Sequence, residues 1–147
     1  MKYEIVNTET WDYGQIAPYG ERITSHMRKL AEKFPEDATV ESLARECMTG
    51  DRQLWLVLDG KTLVAICLTA IQTIDATGTK IVTLTSHAGD DGLGCVDDMC
   101  RVIEKWAQEK GANYTAAWGR RGWGRELKKH GYREHAVVWR KPIEAGQ

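Results

Sequence analysis

The sequence predicts an α+β fold: a mixed, mostly antiparallel central sheet flanked by helices, in the order β-α-α-β-β-β-α-β-α-β. Three observations carry this prediction. Gln53–Leu58 (QLWLVL), the dipeptide Asp59-Gly60 and Lys61–Ile74 (KTLVAICLTAIQTI) read as two strands joined by a tight hairpin. Lys80–Ser86 is rich in β-branched residues and ends where glycine and aspartate begin. From Val96, apolar residues recur at Met99, Cys100, Ile103, Trp106 and Ala107, all on one helical face.

The remaining elements follow in order. Tyr3–Val6 is an opening strand, and Thr8-Glu9-Thr10 ahead of Trp11 is a helix entry that Gly14, Pro18 and Gly20 interrupt. Ile23, Met27, Leu30, Ala31 and Phe34 mark an amphipathic helix closed by Pro35. Thr39 is an N-cap for a second helix with Val40, Leu43, Ala44, Cys47 and Met48 inward, and Gly50 ends it. Asp75–Thr79 turns the chain back into the Lys80 strand, completing a three-strand meander. Asp97 and Asp98 complement the dipole at the start of the Val96 helix, and Gly111 stops it. Tyr114–Trp118 is a short strand, made parallel to its predecessor by the right-handed crossover rule. Trp123–His130 is a short helix ended by Gly131, and His135–Arg140 (HAVVWR) is a last strand.

At 147 residues and 42% hydrophobic, the chain is expected to form one domain, 1–147, with a sizeable core. A net charge of −1 gives no global argument for nucleic acid or membrane binding, and no apolar run reaches the roughly 18 residues of a membrane span. No signal peptide is expected ahead of Tyr3. Cys47, Cys67, Cys95 and Cys100 lack CxxC spacing and fall within apolar patterns, which predicts reduced core thiols and a cytoplasmic protein. The scattered histidines predict no metal site.

Between strand and helix lies His87-Ala88-Gly89-Asp90-Asp91-Gly92-Leu93-Gly94. A glycine-rich turn feeding a helix N-terminus gathers backbone N–H groups and suits phosphate; the alternative is a plain connection. His87 is the one nearby group with a near-neutral reference pKa, so it is either a candidate base or a polar loop residue. Asp90 and Asp91 are either site residues or helix-capping carboxylates. Eight Lys or Arg between Gly119 and Lys141, against Glu126 and Glu134, give a local charge of +6. That cluster suits coenzyme phosphates, nucleic acid with Trp118 and Trp123 stacking, an acidic partner, or simply a solvated face.

This element order, with three antiparallel strands running into a glycine loop and a long helix, resembles the GNAT superfamily of N-acetyltransferases across nearly the whole chain. The resemblance implies an acetyl-coenzyme A-dependent transferase acting on an amine-bearing small molecule or protein. It aligns Gly89, Asp90, Asp91, Gly92, Leu93 and Gly94 with the pyrophosphate loop Gln/Arg-x-x-Gly-x-Gly/Ala, and it sets Arg120 and Arg121 close enough to offset the two aspartates. The Lys80–Ser86 strand would pair with the pantetheine arm. Gly89 stands where the family has Gln or Arg, and Leu127 where many members have a tyrosine that protonates the leaving thiolate. Asp90 and Asp91, unless turned outward, each oppose a polyanion by roughly 1–2 kcal/mol at about 7 Å. The segments QLWLVLDG and WAQEKGANYTAAWGRRGWGRELKKHGYRE, with Gly119-Arg120-Arg121-Gly122-Trp123, further resemble small acetyltransferase-like proteins of tailed bacteriophages. That likeness implies a host-cytoplasmic or virion-associated protein, either active or a degenerate relative that binds a phage or host protein.

Overall fold

The computed structural model describes residues 2–90, 94–119 and 121–144, with Arg121 described by its backbone alone. Strand β1 is Glu4–Asn7; a one-turn helix α1, Tyr13–Ile16, leads through a 3₁₀ turn into α2, Gly20–Lys33, and α3, Val40–Thr49. The meander β2 (Gln53–Asp59), β3 (Thr62–Ile74) and β4 (Thr79–Gly89) is followed by α4 (Val96–Glu109), β5 (Tyr114–Ala117) and α5 (Gly124–Lys128). The sheet order is β1-β2-β3-β4-β5, antiparallel except for the parallel β4–β5 pair. The expected α+β architecture is therefore present.

Local chemistry explains the boundaries. Asp12 and Thr39 each form a capping box, with Gln15 and Ser42 respectively, which satisfies N–H groups that a helix start leaves unpaired. Gly50 leaves α3 at φ +86°, a left-handed turn that costs glycine no Cβ clash. Helix entry thus falls at Asp12, four residues beyond Thr8.

Alternation along β2 divides the core. Trp55 and Val57 face α4 with Val82, Leu84, Met99 and Ile103, and Trp55 meets Trp106 edge-on with ring centroids 5.3 Å apart. Leu54, Leu56 and Leu58 face α2 and α3, against Ile23, Met27, Leu30 and Leu43. Two buried polar links fix the layers. The Trp55 indole N–H donates to Thr69 Oγ1 at 2.9 Å, and the Thr69 hydroxyl donates to Gln53 Oε1 at 2.8 Å. The Tyr3 backbone N–H donates to Asp98 Oδ2 at 3.0 Å, so one of the first-turn aspartates ties the head of the chain to α4.

The expected last strand does not form. Residues 132–144 form neither helix nor strand and have no sheet neighbour among the described residues, and Arg140 meets Asp37 at 2.9 and 3.1 Å and Glu36 at 3.7 Å instead. Strand-type composition describes how side chains fit a pleated neighbour, and here no neighbour lies alongside.

Thr69→Val keeps the shape of the side chain while leaving the Trp55 indole and the Gln53 carbonyl buried without a partner. A loss of about 1–3 kcal/mol is expected in urea unfolding.

Candidate functional site

The site is set by an irregularity in the sheet. Leu68 pairs with Ser86 but Thr69 pairs with Leu84, so Thr85 is an extra residue in β4. It reverses the alternation, which lets both Leu84 and His87 face α4. At the same place β5 leaves: it pairs with β4 from Ile81 to Leu84, the Trp118 N–H donates to Leu84 O at 2.9 Å, and among the described residues no pairing with β4 continues beyond. From Thr85 to Gly89, β4 is held by β3 and its other edge is open among the described residues.

The two faces of this opening differ. Towards α4, Leu84, Val96, Met99, Ala117 and Trp123 close the space to about 10 Å³. On the opposite face lies a cavity of about 400 Å³, floored by Ala70, Thr83 and Thr85, walled by Trp118 and rimmed by Glu46, Asp51 and Arg52. Arg52 Nε approaches Glu46 Oε2 at 3.5 Å, and Asp51 Oδ2 accepts from the Thr49 hydroxyl at 3.0 Å. The rim carries two carboxylates against one guanidinium, a bias towards cationic guests. Of these residues only Trp118 stood out in the sequence, as a stacking candidate, because α3 and the turn after it, β3, β4 and the residue after β5 meet only in the fold.

Strand β4 continues through His87 and Ala88 to Gly89, so the connection to α4 is shorter than the sequence suggests. Gly89 pairs with Ala65, and a Cβ there would lie 2.5 Å from Ala65 Cβ and 3.0 Å from Val64 O. This position has no room for the Gln or Arg expected at the start of a phosphate loop. Asp90 turns towards α2, where Lys29 Nζ lies 2.8 Å from Oδ1 and Arg22 Nη1 3.7 Å from Oδ2. The Lys29 hydrogen bond holds its pKa below the usual carboxylate value, and its charge is largely answered by the helix. Gly94 precedes Cys95, the N-cap of α4, whose side chain makes no capping hydrogen bond. Asp91, Gly92, Leu93 and Arg120 lie outside the described residues, and Arg121 opens the 3₁₀ turn Arg121–Trp123.

His87 does not border the cavity. Its Nε2 lies 3.4 Å from Cys95 Sγ, and its ring meets Trp123 edge-on at 5.1 Å. Burial first, then His26 and Lys33, push its pKa down to about 4, so it is neutral at neutral pH and a weak proton acceptor. Cys95 in turn lies 3.4 Å from Met99 Sδ. In the basic cluster, Arg140 and Lys129 are engaged with acids, Lys129 with Glu126 at 3.2 Å.

No protein-family model matches the sequence, and no curated protein matches it. Solved structures do. An acetyl transferase of Pyrococcus furiosus, so described, superposes with a TM-score of 0.71 at 21% identity, covering 96% of this chain and 99% of that one. The fold is that of the GNAT acetyltransferases. A GNAT family acetyltransferase of Staphylococcus aureus gives 0.65 at 7% identity, with 97% and 100% covered. An aminoglycoside acetyltransferase from an uncultured soil metagenomic sample, in complex with sisomicin, gives 0.67 at 10% identity, with 97% of each chain covered. Among the described residues of this GNAT-fold chain, no helix is long and apolar enough to cross a membrane.

A depressed folded-state pKa means that the unfolded chain binds a proton that the native chain does not. Stability contributed by His87 is therefore present above its ordinary value near 6.5 and lost as pH falls towards 4. His87→Leu should flatten the loss of stability across that window, by up to the order of 2–3 kcal/mol at pH 4, in denaturant titrations at stepped pH.

Proposed function

We propose that the chain, acting as one unit over 1–147, is an N-acetyltransferase that moves an acetyl group from acetyl-coenzyme A to a small cationic amine. The observation that carries this reading is the divergence of β4 and β5 at Thr85, with an acid-rimmed cavity on one side of it. The likeness to acetyltransferase folds, one of them an aminoglycoside enzyme, supports it.

The residues present fit an acyl donor. The open edge of β4 from Thr85 to Gly89 offers backbone groups that pair with a strand-like amide arm. The uncapped start of α4, with Gly94 before it, suits phosphate, and Asp90 is answered by Lys29 and Arg22. We assign Gly89, Asp90, Asp91, Gly92, Leu93 and Gly94 to this donor side, with Arg120 and Arg121 as charge partners. Gly89 serves by its lack of a side chain and Asp90 by turning away. The donor supplies an activated thioester.

On the acceptor side, Asp51 and Glu46 attract the ammonium form and take up the proton released before attack, directly or through water. The amine nitrogen then bonds to the thioester carbon, the carbon–sulfur bond breaks, and the proton that the nitrogen sheds on becoming an amide passes, directly or through water, to the leaving thiolate. Thr83, Thr85 and Trp118 shape the space in which the nitrogen is held, and positioning of this kind supplies much of the acceleration. His87, with its low pKa and its place behind the strand, supports the opening from the α4 face in this scheme.

Leu127 at the position of the family's thiolate-protonating tyrosine favours a second reading. In it the fold has lost transfer chemistry and serves a tailed phage as a virion-associated or host-directed binding protein.

Calorimetry with acetyl-coenzyme A separates the two. Micromolar binding, weakened at least about tenfold by Gly92→Glu, is expected, and no binding at millimolar ligand sinks the transferase. With turnover established on a small polyamine, Asp51→Asn should raise KM for the amine about tenfold with a smaller change in KM for the donor.

A further inference from the structure

The core between the sheet and α4 holds a set of soft donor atoms that the proposed chemistry does not use. Cys95, the N-cap residue of α4, places Sγ 3.4 Å from His87 Nε2 and 3.4 Å from Met99 Sδ. Two separate features of the fold bring these atoms together. Cys95 and Met99 are four residues apart, about one helical turn, and so share the face of α4 that packs on the sheet. His87 reaches them because the Thr85 insertion turns it towards α4. Both sulfur atoms belong to fully buried residues, whereas His87 is half-buried, which makes the imidazole the most accessible member of the set.

Packing alone does not require a thiol, an imidazole and a thioether in contact, since aliphatic side chains fill such a core without polar atoms. Their spacing suits a shared ion. First-row metal ions bond nitrogen at about 2.0 Å and sulfur at about 2.3 Å, which sets donors in one trigonal plane roughly 3.7–4.0 Å apart. The separations from Cys95 fall short of that by about 0.3–0.6 Å, a difference that small side-chain rotations supply.

Softness and charge choose the ion. Thiolate and thioether sulfur favour Cu(I) over cations that seek oxygen. One thiolate and one monovalent ion make a neutral complex, which a low-dielectric core accepts; a divalent ion would leave a net charge buried. Among the described residues, no group of three or more histidine, cysteine or acidic side chains gathers as a harder ion would need.

We propose that His87, Cys95 and Met99 form a binding site for a soft monovalent cation, Cu(I) among the biological metals. The Cys95 thiol gives its proton to solvent as the copper–sulfur bond forms. Met99 donates a sulfur lone pair, and His87 donates the Nε2 lone pair while its proton sits on Nδ1. Strand β4 supplies one donor and α4 the other two, so a bound ion ties the start of the helix to the strand. The site lies on the α4 face, away from the acid-rimmed cavity, and stands independently of the chemistry there.

Anaerobic competition with bicinchoninate, a chromophoric Cu(I) chelator, tests this on the whole chain. One Cu(I) per chain is expected to leave the chelator, and X-ray absorption of the complex is expected to show two sulfur neighbours and one nitrogen. Met99→Leu preserves side-chain volume and lowers the affinity at least about tenfold, and Cys95→Ser lowers it at least about a hundredfold. Cys47→Ser, on the opposite face of the sheet, leaves it as in the wild type. A wild type that takes no copper from equimolar chelator overturns the proposal. So does an affinity that Met99→Leu leaves unchanged, or one that falls with Cys47→Ser. A copper environment of sulfur alone, the mark of adventitious capture by thiols, overturns it without any variant.

Discussion

Strand β4 pairs with β3 along its whole length but with β5 for only four residues, and most of what is distinctive in this molecule depends on that mismatch. A sheet that kept all its ladders would present no internal polar edge and no gap between neighbouring strands. The inserted Thr85 breaks the regular register of β4 at the point where β5 stops, and among the described residues the edge of β4 beyond it pairs with no strand. The cost of this opening is carried by the two cores on either side, where β2 contributes a row of buried residues to each face.

Charge is arranged around the opening with some economy. Asp90 would oppose a polyanion if it faced the α4 N-terminus, but Lys29 and Arg22 draw it to α2. On the other face Asp51 stands at the cavity rim, beside Glu46, which Arg52 approaches at 3.5 Å. A donor bearing phosphates and an acceptor bearing an ammonium would thus meet opposite fields on opposite sides of one strand. His87 stays out of this arrangement, because packing against Cys95 and Trp123 costs it the charged form.

Much of the fold was legible because its signals are local. Thr39 three residues before Ser42, Gly50 past the last apolar position, and Asp59-Gly60 between two apolar runs each act within one or two turns of chain. The parallel β4–β5 pair followed from chirality alone. The bulge at Thr85 was not legible, since a register shift is a property of two strands and β4 reads as one regular run. Gly89 was misplaced for the same reason: its lack of a side chain answers Ala65 on the neighbouring strand, not a loop. The cavity beside Thr85 draws on four separate stretches, and apart from Trp118 none of its lining was marked in the sequence. HAVVWR was expected as a last strand and forms none, because strand-type composition does not supply a neighbouring strand to pair with.

The sulfur atoms behind the sheet have a practical consequence. Cys67, Cys95 and Cys100 are buried, and desolvation raises Cys67 well above the ordinary thiol pKa and Cys100 to about 11. Thiols reach alkylating and oxidising reagents as thiolates, so these are silent while the sheet and α4 remain together. Their labelling rate is then a clock for the parting of α4 from β4, running in the unmodified protein without an added probe.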